Sequence, residues 1–396
     1  MMTLKNFRYE LPTAIEFGRG YANKLHEHVS NLGGTNVLIV GDPGVLHAGI
    51  IAKLEAPLEN ASIPYTIFTE VGMEATIESV DKGSELAKEV GANLVVGVGG
   101  GSALDTAKAI GLMLKNPGNI RDYVGIDLVP GPGAPVIAIP TTAGTGSELT
   151  RFSVLSDKAA QAKLSVGSKY NCPTLALCDP ELTVTLPPHI TASTGMDALT
   201  HALESYVNKA TQPISEALSE QAMKLIAKSL RTAVVQGENV EARHDMLLAS
   251  SIAAMAFNTT RLGLAHALAM PLGGLFKIPH GVVNAILLPE VMKYNLIGNQ
   301  EKFAEIARIF GEKTDHLTVR EAAEKAVEAI RQLNKDIGIT QNLSDYGVKE
   351  EHLDEIVEEA ILSGNVPVNP VRATKEDLKN ICRALMVPAV KEKVLN

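Results

Sequence analysis

The sequence predicts an α/β N-terminal domain with a doubly wound parallel sheet, followed by an all-α C-terminal domain. Short β-branched runs alternate with helical patterns through the first half. Glycine- and hydroxyl-rich segments follow several of those runs, and beyond a cluster of prolines the chain turns to long Ala-, Leu- and Glu-rich segments. At 396 residues the chain exceeds what one hydrophobic core usually organises, so two domains are expected, 1–185 and 186–396.

Strands are expected over 36–40, 65–69, 94–98 and 135–139. The unbroken run Leu94-Val95-Val96 suits a parallel strand buried on both faces. Residues 80–90 and 103–114 repeat apolar side chains at helical spacing, which makes βαβ units the natural connection. Asp179-Pro180 and Leu186-Pro187-Pro188 disfavour continuing either kind of element and set the boundary near 186. Helices are then expected over 191–208, 213–235, 241–272, 301–336, 348–362 and 374–387, with no internal repeat or low-complexity tract.

Composition narrows the function classes. With 45% hydrophobic and 20% charged residues the chain has the make-up of an ordinary globular protein. A net charge of −9 lacks the concentrated positive field of a nucleic-acid binder. Cys172, Cys178 and Cys382 show no CxxC spacing and fit a reducing compartment, so a cytoplasmic setting is expected. The stretch 1–8 has no apolar run of the signal-peptide kind. The uncharged stretch 128–147 is broken by prolines and glycines, while 246–260 and 262–276 fall short of the roughly 18 apolar residues of a membrane span and read as buried helices.

Three segments of the first half carry signals for a nucleotide. Gly97-Val98-Gly99-Gly100-Gly101-Ser102 closes a predicted strand and opens a predicted helix, where backbone N–H groups and the helix dipole attract phosphate. Asp42, just past the first predicted strand, is placed to accept hydrogen bonds from an adenosine ribose and to repel a 2′-phosphate, favouring NAD over NADP. By itself Asp42-Pro43-Gly44 reads more readily as a plain turn, and this acid precedes the glycine run, unlike the usual fingerprint. The third segment, 140–148, presents the hydroxyls of Thr141, Thr142 and Thr145 directly after a strand. Such loops converge at the carboxyl edge of an open α/β sheet, where ligands bind.

The second half carries a metal signal. Asp197 and His201 stand four residues apart and share a helix face, among largely apolar neighbours that point the pair inward. His266 lies in an apolar run where a buried imidazole needs a polar partner, which a metal or a backbone carbonyl supplies. His280 follows Gly273-Gly274, where the preceding helix is expected to end, so that a turn brings both imidazoles together. Three imidazoles and one carboxylate suit Fe²⁺ or Zn²⁺ and leave room for a substrate oxygen, whereas Ca²⁺ or Mg²⁺ would demand more oxygen ligands. His26 and His28, in a polar helix-like segment, read as surface residues.

Taken together, Gly99-Gly100-Gly101-Ser102 with Asp105 and Lys108, the segment 140–148, the segment 197–204 and the segment 266–281 resemble the iron-containing alcohol dehydrogenase family, related in fold to dehydroquinate synthase and glycerol dehydrogenase. The resemblance spans nearly the whole chain. It implies a cleft between a dinucleotide domain and a helical domain, with Asp197, His201, His266 and His280 as metal ligands. It further implies that Asp42, Gly99, Gly100, Gly101, Ser102, Thr141, Thr142 and Thr145 contact NAD, with Asp105 and Lys163 near the nicotinamide and its ribose, and with Asp105 and His280 as candidate catalytic residues. The implied reaction is hydride transfer between NAD and a small primary alcohol or its aldehyde, and a homo-oligomer, a dimer or larger, is expected.

Two segments depart from that family. Met270 stands where many relatives carry a second histidine, and methionine cannot relay a proton. Gly72-Met73-Glu74-Ala75-Thr76 replaces a common Asn-Pro-Thr sequence in a loop near the nucleotide. Two other readings stay open: an NAD- and metal-dependent enzyme of the dehydroquinate synthase or glycerol dehydrogenase kind, and a catalytically silent NAD- or metal-binding regulatory protein, against which the intact ligand set argues.

Overall fold

A computed structural model describes residues 6–157 and 162–386. Nine strands occur among the described residues: β1 (Ala14–Phe17), β2 (Val37–Val40), β3 (Tyr65–Phe68), β4 (Leu94–Gly99), β5 (Gly125–Ile126), β6 (Val136–Pro140), β7 (Phe152–Asp157), β8 (Ala162–Gly167) and β9 (Leu175–Cys178). The first half also carries helices α1 (Leu25–Asn31), α2 (Pro43–His47), α3 (Ile50–Asn60), α4 (Ile77–Glu89) and α5 (Gly101–Met113). The second half is α6 (Pro188–Val207), α7 (Pro213–Val235), α8 (Val240–Thr260), α9 (Leu264–Phe276), α10 (His280–Asn295), α11 (Gln300–Ile309), α12 (Val319–Asp336), α13 (Leu353–Ala360) and α14 (Lys375–Ala384).

Six strands form one all-parallel sheet in the order β1-β9-β6-β4-β2-β3. Along β2 the side chains alternate between two cores. Val37 and Ile39 pack with Leu25, Val29, Leu54 and Leu58 of α1 and α3, while Leu38 and Val40 pack with Ile77, Val80, Ala107 and Ile110 of α4 and α5. Helices thus cover both faces, which is the doubly wound arrangement the continuous apolar runs imply. The strand order reverses between β2 and β4, because β2 leads outward to β3 on one side and β4 leads to β6 on the other. The crevice at such a reversal, beyond the carboxyl ends of the strands, is where open α/β sheets take ligands.

The four expected strands are present, and five more were not foreseen. β9 is Leu-Ala-Leu-Cys, without a β-branched residue, and owes its strand state to pairing with β1 and β6. β5, β8 and β7 make a separate three-stranded sheet in which β7 runs antiparallel to β8. The buried face of β7 is Ser153, Leu155 and Asp157, so hydrophobic alternation gives no signal there.

Among the described residues helices alone follow Pro188, as expected, but two predicted segments split. The segment 241–272 contains α8 and α9, interrupted at Arg261, whose φ of 62° breaks the helical path. The segment 301–336 contains α11 and α12, the latter started by a reciprocal cap between Thr318 and Glu321. The predicted stop at Gly273-Gly274 does not occur. α9 runs on to Phe276 and ends where Lys277 turns left-handed, with φ 54°. The segment 348–362 is a single turn over 350–352 followed by α13. Residues 1–5, and residue 387 at the end of the predicted 374–387 helix, lie outside the described residues. Among the described residues no helix is long and apolar enough to cross a membrane.

The chain from β6 into β7 joins the two halves. Lys108 of α5 is buried; its Nζ lies 2.9 Å from Asp105 Oδ1 and donates to Ser147 O at 3.1 Å, to Thr150 Oγ1 at 3.3 Å and to Phe152 O. An ammonium out of water needs such partners, and here they fix the turn against α5. On its other side the same chain reaches α8: Ser251 Oγ donates to Glu148 Oε1 at 3.0 Å, and Asn258 Oδ1 accepts from the Arg151 amide at 3.1 Å.

Glu148 is fully buried, and burial raises its pKa above the ordinary carboxylate value despite the Ser251 hydrogen bond and the Lys108 charge. The folded state therefore holds this proton more tightly than the unfolded chain does. Its contribution is complete below the ordinary carboxylate pKa and is lost as pH rises through the raised one. Glu148→Gln keeps an acceptor for Ser251 without the buried charge. Thermal unfolding at pH 5 and pH 8 should show the variant gaining on the parent as pH rises; a constant difference would refute the assignment.

Candidate active site

Asp197, His201 and Glu204 recur along α6 at intervals of four and three residues, share one face and are buried. His266 sits on α9 and is buried, and His280 is the first residue of α10. A β-carbon at Gly281 would lie 2.1 Å from the Ser193 carbonyl oxygen, so the start of α10 rests directly on α6, one turn before Asp197. Nε2 of His201, His266 and His280 lie 3.9, 3.6 and 3.6 Å from Asp197 Oδ1. The His201 ring stacks on His266 at 4.6 Å between centroids and has Phe257 on it at 4.5 Å. His280 differs in having a side chain 38% exposed, which makes its side the entrance.

The second nitrogen of two rings is held by fixed acceptors. His201 Nδ1 donates to the Gly144 carbonyl at 3.2 Å, and His266 Nδ1 donates to Glu204 Oε2 at 2.7 Å, which turns both Nε2 atoms toward Asp197. Glu204 also accepts from the amides of Gly263 at 2.8 Å and Ala265 at 2.7 Å, so one carboxylate caps the start of α9 and orients its histidine. Asn284, one turn beyond His280, places Nδ2 2.8 Å from Asp197 Oδ1 and 3.1 and 3.2 Å from Nε2 of His266 and His280. Its Oδ1 is buried with no hydrogen-bond partner among the described residues.

Burial and mutual charge set the protonation of the cluster. Burial pushes His201 down to about 3, and His280, though partly exposed, is lowered too by lost solvation and by the positive charges of His266 and Lys163, outweighing the attraction of Asp197. For Asp197 burial works the other way, but His201, His280 and His266 prevail and hold its carboxyl far below the ordinary range. Burial also disfavours charge on His266, yet the hydrogen bonds to Asp197 and Glu204 raise it to about 9. Asp197, His201 and His266 bring their ligand atoms within 4.8 Å of one another, and with His280 Nε2 3.6 Å from Asp197 and an unpartnered amide oxygen alongside, the group fits a divalent transition metal.

At the strand-order reversal, the loops after β2 and β4 meet. Asp42 Oδ1 accepts from the amides of Gly44 at 2.7 Å and Val45 at 3.1 Å, capping α2, while Oδ2 lies 3.1 Å from where a β-carbon on Gly99 would stand. Missing β-carbons at Gly100 and Gly101 would meet Thr142 and Thr145 at 3.4 and 2.8 Å, so the glycine turn and the threonine loop form one cradle. Thr141 is buried, its amide donating to Gly99 O at 3.0 Å. Ser102 Oγ donates to Met73 O at 2.9 Å. Asp105 takes Ser147 Oγ at 2.5 Å, the Val154 amide at 2.9 Å and the Lys108 ammonium. Lys163 pairs with Glu74 at 3.0 Å.

Glu204, Asn284, Gly144 and Glu74 received no role from the sequence. The first two had a signal, since Glu204 continues the face of Asp197 and His201 by one more turn and Asn284 stands four residues after His280. Gly144 and Glu74 act through contacts between distant segments, which spacing does not reveal.

Two family models match the chain: iron-containing alcohol dehydrogenase over residues 12–180, and the C-terminal part of the Fe-containing alcohol dehydrogenase family over residues 191–386. The chain belongs to the iron-containing alcohol dehydrogenase family. Members of that family are NAD-dependent alcohol dehydrogenases and aldehyde reductases, and this chain is one of them. It is 41% identical over 384 residues to a 1,3-propanediol dehydrogenase of Citrobacter freundii, covering 96% of this chain and 99% of that protein. A solved structure of 1,3-propanediol oxidoreductase superposes with a TM-score of 0.94 at 41% identity, covering 96% of this chain and 100% of the other. The sulfoacetaldehyde reductase of Bifidobacterium kashiwanohense, solved in complex with NAD⁺, superposes with a TM-score of 0.87 at 31% identity, covering 97% and 100%.

The Glu204 carboxylate fixes the ring of His266 and makes its Nε2 more basic. Glu204→Gln should lower metal affinity by about 10- to 100-fold while the helical circular dichroism signal is retained. Competition with a chromophoric chelator measures this, and unchanged affinity would remove Glu204 from the metal centre.

Proposed function

We propose that this chain interconverts a small primary alcohol and its aldehyde by hydride exchange with NAD, in the cleft between the carboxyl edge of the sheet and helices α6, α9 and α10. The hydrogen bond from His201 to Gly144 carries the reading, because the loop that supplies the threonines of the cradle also orients a ligand of the metal cluster. Dinucleotide and metal sites thereby face one cleft. When bound, the metal supplies Lewis acidity toward the substrate oxygen and NAD supplies the hydride acceptor.

Asp197, His201, His266 and His280 hold the cation, Fe²⁺ in this reading with Zn²⁺ as the alternative. Asp42 takes the adenosine ribose on Oδ2, the oxygen not engaged in capping α2, and a 2′-phosphate there would meet a carboxylate. The amides of Gly99, Gly100, Gly101 and Ser102 serve the pyrophosphate at the start of α5. Thr141, Thr142 and Thr145 line the cradle, and Lys163 lies toward the nicotinamide. Asp105, held by three donors, acts there by bracing the 147 turn and β7 against α5. His280, on the open side, is the ligand beside which substrate arrives and proton leaves. The 1,3-propanediol named for the Citrobacter relative is a small primary alcohol, which supports this substrate class. Three free cysteines support a cytoplasmic setting, and a dimer or larger homo-oligomer completes the reading, to be measured by sedimentation.

Metal analysis of anaerobically purified protein, paired with NADH assays over a panel of alcohols and aldehydes, tests the proposal. Net NADH should form with small primary alcohols, vanish on chelation and return with Fe²⁺ or Zn²⁺. Turnover without net NADH would favour chemistry of the dehydroquinate synthase kind.

Met270 follows His266 by four residues on α9 and is partly exposed, whereas 264–269 and 271–273 are buried, so it faces the cleft and does not fill the core. It offers no site for a proton, which must leave by water, a ribose hydroxyl or the His280 side. Met270→His should add an ionisation to the pH–rate profile of alcohol oxidation. A profile with the same apparent pKa values and the same rate would place Met270 away from the proton path.

A further inference from the structure

We infer that Glu74 is a positioning residue that sets Lys163 against the nicotinamide half of the dinucleotide, an inference that rests on the NAD reading above. Glu74 lies between β3 and α4, at the carboxyl edge of the large sheet, in the segment that departs from the common family sequence. Its Oε1 lies 3.0 Å from Lys163 Nζ on β8, and its Oε2 accepts from Ser156 Oγ on β7 at 2.6 Å. Both oxygens are thus engaged, one by the lysine and one by the neighbouring strand.

The backbone around Glu74 is fixed on both sides. Ser102 Oγ, in the first turn of α5, donates to Met73 O at 2.9 Å. The Ser156 amide donates to Ala75 O at 2.8 Å, and Thr76 caps α4 through a reciprocal pair with Ser79. The segment therefore bridges the glycine turn, where pyrophosphate is placed, and the small sheet that carries Lys163. Lys163 is on the metal side of that bridge, since β8 lies against α9, the helix that carries His266, and its side chain is only 23% exposed. A dinucleotide reaching from the cradle to the metal cluster spans the same interval.

A lysine ammonium is a mobile point charge on a four-carbon stem, and ordering it on ligand binding costs entropy. Pairing with a carboxylate that is itself tied down removes much of that freedom beforehand. The ion pair engages one of the three N–H donors of the ammonium, and ribose hydroxyls are the acceptors that a lysine at the nicotinamide end meets. Glu74 is half exposed, so its worth lies in geometry and not in stability.

The test uses the full-length, metal-loaded chain and two probes: NADH, followed by its fluorescence, and ADP, which lacks the nicotinamide riboside, followed by calorimetry. Glu74→Gln keeps an acceptor for Ser156 and removes the charge. It should weaken NADH by about tenfold, the size of one charged hydrogen bond, and leave ADP unchanged. Glu74→Asp should recover part of the loss, and in a Lys163→Met background Glu74→Gln should have no further effect. Equal weakening of NADH and ADP would make Glu74 a shaper of the phosphate cradle and overturn the inference. So would unchanged NADH binding, or losses that add in the double variant. Failure of the parent chain to bind NADH would overturn the dinucleotide reading itself, and the inference with it.

Discussion

The hydrogen bond from His201 to the Gly144 carbonyl is where the two layers of the molecule become one site, and it depends on how closely the 140–151 chain approaches the helices. A β-carbon on Gly144 would stand 2.7 Å from the Thr194 side chain and 2.9 Å from its carbonyl, and one on Gly146 would stand 2.2 Å from Ala254. The chain is wedged against α6 and α8 at these two points. From the other side Lys108 and Asp105 hold it to α5. The threonines of the cradle and the imidazole of His201 therefore take their positions from the same few contacts.

Charge balance is the second constraint. Asp197 and Glu204 are both buried, one facing the imidazole Nε2 atoms and the other behind His266. Buried carboxylates are costly unless hydrogen-bonded or matched by positive charge. Glu204 meets that need with two amides at the start of α9 and one imidazole. Asp197 has one amide and three ring nitrogens, an environment completed by a divalent cation.

Most of the fold was legible because it rests on local pattern. Continuous apolar runs marked the central strands, and helical spacing marked Asp197 with His201. The small sheet escaped, because β7 buries serine and aspartate and answers to partners, not to hydrophobicity. The break inside 241–272 escaped for a related reason. Arg261 holds a backbone conformation that favours glycine, and Asn208 Nδ2 spans the break by donating to the carbonyls of Thr260, Arg261 and Leu262. In the site, residues on one helix face could be read from spacing. Glu74 and Gly144 could not, since each works through a strand or helix far along the chain.

The contact between Gly281 and Ser193 has a mechanical meaning for the metal centre. Asp197 and His201 ride on one rigid helix, and His266 is locked to that helix through Glu204, so three ligands form a fixed jaw. His280 is the opposing jaw, carried on a separate helix whose approach is limited by backbone touching backbone. The missing carbon at 281 thus sets the bite of the site. A larger residue there would push the start of α10 off α6, so the separation of His280 from Asp197 and the packing of the two helices answer to the same residue.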